Sequence, residues 1–199
     1  LPTAIRSQED WGFRKHSGIS VFHLRGSLIA NLKSKRFRRG GSTMTMQLAR
    51  NLFLTRNKTL SRKLQEIILA WLLERGLGDI KKFSKAELTA LYINVVEFGP
   101  DIYGIGEAAN HYFNKRPSSL KPAEIAWIVR LLPGPRPYYR SFQLGRLTSG
   151  RLYKINSMLK RLVARDILTP EEGAPIGRHD LWPSGNGGRA KYTKNGIPV

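Results

Sequence analysis

The stretch Arg39-Gly-Gly-Ser-Thr-Met-Thr-Met-Gln-Leu-Ala-Arg-Asn51 constrains this chain more than any other. Paired glycines allow a tight turn that other residues resist. Ser42 or Thr43 can then cap a helix by accepting a hydrogen bond from its free N–H groups. At about 100° per residue, Thr43, Gln47 and Arg50 fall within about 60° of one another. Met44, Leu48 and Leu52 lie on another face and are expected to bury. A helix N-terminus, a hydroxyl, an amide and a guanidinium pointing one way suit a phosphate or an oxygen-rich ligand. An ordinary capped amphipathic helix with one exposed basic residue would carry the same pattern.

The rest of the chain reads as mostly α. Leu60 to Arg75 is a strong helical stretch, apolar all round in its middle and so expected to be a core helix, ended by Gly76 and Gly78. Arg62, Glu66, Leu69 and Leu73 share one face. That sets Glu66 against apolar surroundings, with Arg62 as its i,i+4 partner. Ser84-Lys-Ala-Glu87 is a capping box for a helix through Leu88, Leu91, Tyr92 and Ile93. Pro100 marks a loop after Asn94-Val-Val-Glu-Phe-Gly99. Helices are also expected over Tyr103 to Phe113, from Pro122 through Leu132, and over Leu152 to Leu168. Thr169-Pro-Glu-Glu172 is expected to cap one more short helix. Residues 136–150 read as a loop and 173–199 as irregular, with no clear pair of alternating strands.

The chain has 199 residues, enough for one large domain or two small lobes, and its net charge is +20, from 34 Lys+Arg against 14 Asp+Glu. Such a charge implies a polyanionic partner: nucleic acid, an anionic membrane surface or a phosphorylated substrate. The absence of cysteine excludes disulfides, thiol catalysis and Cys-based zinc sites. No apolar run reaches the ~18 residues of a membrane span. The sequence starts at Leu1 without Met, which is compatible with an upstream segment carrying a membrane anchor.

Residues 1–18 hold Glu9-Asp10-Trp-Gly-Phe-Arg-Lys-His16, two carboxylates ahead of aromatics and a histidine, as in a catalytic or a plain surface loop. Residues 19–39 begin apolar and end in Lys33-Ser-Lys-Arg-Phe-Arg-Arg39. An apolar stretch beside a basic cluster reads as a membrane-surface element, or as a solvated charge run next to a core helix.

The blocks Glu9-Asp10…Phe13…His16…Gly18, Gly40-Gly-Ser-Thr…Gln47…Arg50-Asn51, Arg62-Lys63…Glu66, Glu87-Leu…Leu91-Tyr-Ile-Asn94…Phe98-Gly99 and Tyr103-Gly-Ile…Ala108-Ala…Tyr112-Phe113 come in a fixed order. In this the sequence resembles the peptidoglycan glycosyltransferase domain, glycosyltransferase family 51. That domain occurs in monofunctional transglycosylases and class A penicillin-binding proteins, and the resemblance covers roughly residues 1–175. It implies a lysozyme-like, two-lobed helical domain with a small membrane-facing lobe, residues 19–39 being its mobile membrane-facing segment and 176–199 an irregular tail. It also implies polymerisation of lipid II into glycan strands at the outer, periplasmic face of the bacterial cytoplasmic membrane. The anomeric centre is inverted and undecaprenyl pyrophosphate released.

Residue by residue, the resemblance makes Glu9 the general base and Glu66 the second essential carboxylate. Such a base works best with a pKa raised towards neutrality, which Asp10 and burial could supply. Asp10, Ser42, Thr43, Gln47 and Asn51 become substrate-binding positions. Arg50, standing where many members have lysine, joins Lys58, Arg62 and Lys63 around the phosphates. Glu66 is also the position for a divalent cation, Mg or Mn; no organic cofactor is implied. The expected partners are lipid II, the growing glycan strand, an anionic membrane surface and other cell-wall synthesis proteins.

The sequence departs from the family pattern at Ser20, at Gly26 (with Arg25 one step early), at Arg39 and at Asn114. The Gly26 departure bears on donor binding. Three rivals remain: a lysozyme-like glycan hydrolase, a non-catalytic lipid II-binding scaffold, and a nucleic-acid binder. The last lacks any recognisable motif or stacking aromatics among its basic residues, so no specific nucleic acid is expected.

Overall fold

A computed structural model describes residues 1–22, 25–27, 29, 41–55, 59–78 and 81–182, Arg136 by its backbone alone. The basic cluster at 33–39, Lys58 and residues 183–199 lie outside the described residues. The chain is mostly helical, as expected. It forms two compact units, one holding Pro2 and residues 4–96, the other Leu1, Thr3 and the described residues from Glu97 on.

In the first unit, α1 spans Pro2–Glu9 and a 3-10 turn follows at Phe13–Lys15. Glu9 therefore ends a helix, where the sequence suggested a loop. Next come α2, Met44–Phe53, α3, Leu60–Arg75, and α4, Lys85–Val95. The caps expected for α2 and α4 form, and Thr59 adds one to α3 that was not expected. Thr43, rather than Ser42, accepts from Met46 N at 3.2 Å at the head of α2. Thr59 accepts from Arg62 N at 3.1 Å at the head of α3. Ser84 and Glu87 close their capping box with bonds of 3.2 and 2.7 Å. Each such cap is worth about 1 kcal/mol.

Helix α2 packs on both α3 and α4. It is buried nearly all round, at Met44, Thr45, Met46, Leu48 and Ala49. Full burial of a side chain such as Leu48 stabilises by about 1.5–3 kcal/mol. Leu52 departs from expectation, being 41% exposed near the end of the helix.

Helix α3 overturns the expectation of a core helix. Its buried positions are Glu66, Ala70 and Glu74. Its apolar stripe faces outward: Leu60 is 90% exposed, Leu64 60%, Ile68 49% and Trp71 39%. The inversion is tolerable because the buried carboxylates are paired. Lys63 sits 2.8 Å from Glu66 and Lys85 2.6 Å from Glu74. An unpaired buried charge would cost several kcal/mol.

In the second unit a short antiparallel hairpin joins β1, Glu97–Gly99, to β2, Ile102–Tyr103, pairing Glu97 with Tyr103 and Gly99 with Ile102. Sequence reading took this stretch for a loop, since three-residue strands leave no periodicity. Helix α5, Ile105–Phe113, ends on Asn114 with φ 50°. Asparagine tolerates that left-handed conformation, so the departure from glycine keeps the turn. Helix α6, Pro122–Leu131, carries the core residues Ala126, Trp127, Ile128, Val129 and Leu131. Helix α7, Pro135–Gln143, stands where a loop was expected. Its prolines occupy the first turn, where a missing N–H loses no helical bond. Helix α8 spans Ser149–Val163 and stops short of the expected Leu168. Asp166, at φ 53°, turns the chain away. Thr169 and Glu172 exchange the capping bonds expected of them, at 2.9 and 3.2 Å, but enclose only a turn.

Candidate active site

The site residues predicted from sequence, Lys58 apart, all belong to the first unit. Glu9 is half-buried, and its Oε2 accepts from Gln47 Nε2 at 3.2 Å. Gln47 Oε1 accepts from Tyr92 Oη at 3.1 Å. Tyr92 is fully buried in α4. Burial above all, and the charge of Glu9 next, push its ionisation well above the usual phenol range, while Arg50 pulls the other way. The phenol is therefore a permanent donor.

Asp10 turns inward. Its buried carboxylate accepts from Met44 N, at the first turn of α2, at 3.1 Å. His16 Nε2 lies 3.1 Å from both of its oxygens. A carboxylate at a helix N-terminus is favoured by the exposed N–H groups there. Thr43 also turns inward, donating to Gly18 O at 2.6 Å. Gly18 has φ 77°, and a Cβ there would lie 2.5 Å from Ala70 O. Only glycine lets the loop approach α3 so closely. The loop from Asp10 to Gly18 is thereby fastened to α2 and α3, which sets Glu9 against Gln47.

A second cluster surrounds Glu66. Its buried carboxylate receives Arg62 Nη1 on Oε1 and Lys63 Nζ on Oε2, the latter at 2.8 Å. Lys63 Nζ also donates to Ser42 Oγ at 2.6 Å, just ahead of α2. Helix α2 and its lead-in thus touch both clusters, Ser42 at the cationic one and Gln47 at Glu9. Behind them Thr45 Oγ1 donates to Glu74 Oε1 at 2.5 Å, and Lys85 Nζ stands 4.1 Å from the Phe13 ring centroid. Arg50 is half-buried and Asn51 exposed.

The donor set does not fit a protein-held divalent cation. Such an ion needs several oxygen ligands, whereas the two oxygens of Glu66 are engaged by cations. Among the described residues no group of three or more His, Cys, Asp or Glu could hold a metal.

Tyr92, Glu74 and Thr45 were not legible as site residues. Tyr92 reads as one more apolar position on its helix, and its alignment with Gln47 and Glu9 needs the fold.

Residues 1–162 match a family model described as Transglycosylase. The chain belongs to the transglycosylase family. It is 38% identical over 162 residues to a biosynthetic peptidoglycan transglycosylase of Nitrosomonas eutropha, covering 81% of this chain and 62% of that protein. It is 36% identical over 169 residues to penicillin-binding protein 1A of Aquifex aeolicus, covering 85% of this chain and 22% of that protein. With penicillin-binding protein 1A of Pseudomonas aeruginosa the identity is 39% over 157 residues, 79% of this chain and 18% of that protein. The chain therefore spans less than two thirds of the first of these relatives. Among the described residues of this transglycosylase-family chain, no helix is long and apolar enough to cross a membrane.

Proposed function

We propose that this chain polymerises lipid II into peptidoglycan glycan strands. The observation that carries the reading is the placement of α2. Its Gln47 holds a half-buried carboxylate, Glu9, and its lead-in Ser42 meets the Lys63–Glu66–Arg62 cluster. The relatives' printed names, biosynthetic peptidoglycan transglycosylase among them, support the same reaction.

In this reading Glu9 takes the proton of the acceptor's GlcNAc 4-hydroxyl as that oxygen attacks C1 of the donor strand. The bond from C1 to the diphosphate oxygen breaks, with inversion. Undecaprenyl diphosphate leaves with the bonding electron pair. Arg62, Lys63 and Arg50 stabilise its growing negative charge, and Glu66 holds the first two in place. Asp10 and Thr43 serve by fastening the loop that follows Glu9 to the helix that carries Gln47.

The reaction is assigned to the outer face of the cytoplasmic membrane. The outward stripe of α3, with exposed Val21, Phe22 and Phe53, would enter the lipid interface. The net charge of +20 would draw the protein to anionic headgroups, at about 1 kcal/mol per nearby basic residue.

The test is incubation with labelled lipid II in detergent, with and without moenomycin, an inhibitor known for the family, followed by gel separation. Lengthening, moenomycin-sensitive strands are expected from the wild type and none from Glu9→Gln. Shortening of preformed strands would establish a hydrolase instead. Binding without turnover would establish a scaffold.

A further inference from the structure

Tyr92 begins a hydrogen-bond chain with a direction. Its Oη donates to Gln47 Oε1, and Gln47 Nε2 donates to Glu9 Oε2. A side-chain amide has one accepting end and one donating end. Whatever fixes the first therefore fixes what the second offers. Without that anchor the amide can turn about its last torsion and present its oxygen to Glu9. Two acceptors would then face one another, which disfavours the charged carboxylate.

We infer that Tyr92 is a positioning residue for glycosyl transfer, acting through Gln47 to aim an N–H at Glu9 and keep that carboxylate ionised and in one orientation. The inference rests on the reading of Glu9 as the base. Gln47 of α2 bonds Glu9 directly, and Glu9 and Arg50 both lie close enough to Tyr92 of α4 for their charges to act on its phenol. The Asp10 carboxylate is turned towards His16 and Met44 N, away from this chain of bonds. A core tyrosine kept only for its ring would be replaced by phenylalanine without consequence for Glu9.

The experiment uses the full chain labelled with ¹³C at glutamate side-chain carboxyls, the Glu9 signal being assigned by its loss in Glu9→Gln. In Tyr92→Phe the Glu9 titration moves to higher pH, and the melting temperature reports that the variant is folded. Gln47→Leu moves it the same way. The double variant moves it no further, because both changes act through one amide. Tyr153→Phe, at an exposed tyrosine of the second unit, leaves it unchanged. On lipid II, Tyr92→Phe lowers kcat about tenfold with KM within about twofold, because the carboxylate is no longer held in one orientation. An unmoved Glu9 titration in Tyr92→Phe, or shifts that add in the double variant, would overturn the inference. The two readings separate cleanly. If the wild type elongates no glycan, the base assignment falls, while the titration still decides whether Tyr92 governs Glu9.

Discussion

Met44 N donates to Asp10 Oδ2 across 34 positions of sequence, at 3.1 Å. That bond joins the end of α1, which carries Glu9, to the head of α2, which carries Gln47. Asp10→Ala leaves a helix N–H and His16 without the carboxylate they share. It should destabilise the fold by about 2–4 kcal/mol, read from urea unfolding. A loss below about 0.5 kcal/mol would mean that the loop is held elsewhere.

Glu9 itself is half-buried at the end of α1. Glu9→Gln should lower polymerisation about 10²–10⁴-fold, the usual contribution of a general base. Its urea midpoint should stay near that of wild type. Retained turnover would reassign the base.

Gly18 combines a left-handed φ of 77° with a close approach to Ala70 O. Gly18→Ala therefore meets both strain and collision, and should cost about 2–3 kcal/mol in urea unfolding. Gly106, around which a Cβ would meet nothing within 4 Å, is the matched control. Gly106→Ala in α5 should be neutral or slightly stabilising.

Glu87 gives a pH dependence with a definite sign. A hydrogen bond from Lys81 first, then the backbone and hydroxyl of Ser84, lower its carboxyl from the usual 4.5 to about 2. A carboxylate depressed in the fold stabilises fully above its unfolded pKa and loses that contribution as pH falls. Wild type should thus melt higher than Glu87→Gln at pH 7, with the gap closing between about pH 4.5 and 2. A gap independent of pH would assign the effect to packing.

The outward stripe of α3 can be separated from the basic charge. Leu64→Ser with Ile68→Ser should reduce partitioning onto anionic vesicles at both low and high salt. Lys33→Ser, Lys35→Ser and Arg36→Ser together should reduce it mainly at low salt, because screening already weakens charge at ~0.15 M. Sedimentation with vesicles reads both. Unchanged partitioning in the two sets would remove the membrane reading.

The caps at Thr43 and at the Ser84–Glu87 box were plainly legible in the sequence, since they act on backbone within three residues. The catalytic candidates were legible as ordered blocks, and Glu9 does meet Gln47. The orientation of α3 was not legible. Counting apolar residues cannot show that Glu66 and Glu74 find cations from positions 62, 63 and 85, and only that pairing lets the polar face turn in. Helix α7 was hidden because Pro135 and Pro137 punctuate a chain wherever they fall. Only the helix that follows reveals them as first-turn residues. Tyr92 escaped notice because a buried ring and an aimed hydroxyl look alike in one dimension.

A library of α3 variants selected for solubility alone would give an upside-down result. It would discard the leucines and the tryptophan as dispensable and retain the two glutamates as if they were the hydrophobic heart of the helix. Rules for stabilising proteins by trimming surface grease would remove from this helix the side chains that the proposed function needs to set where the molecule lives.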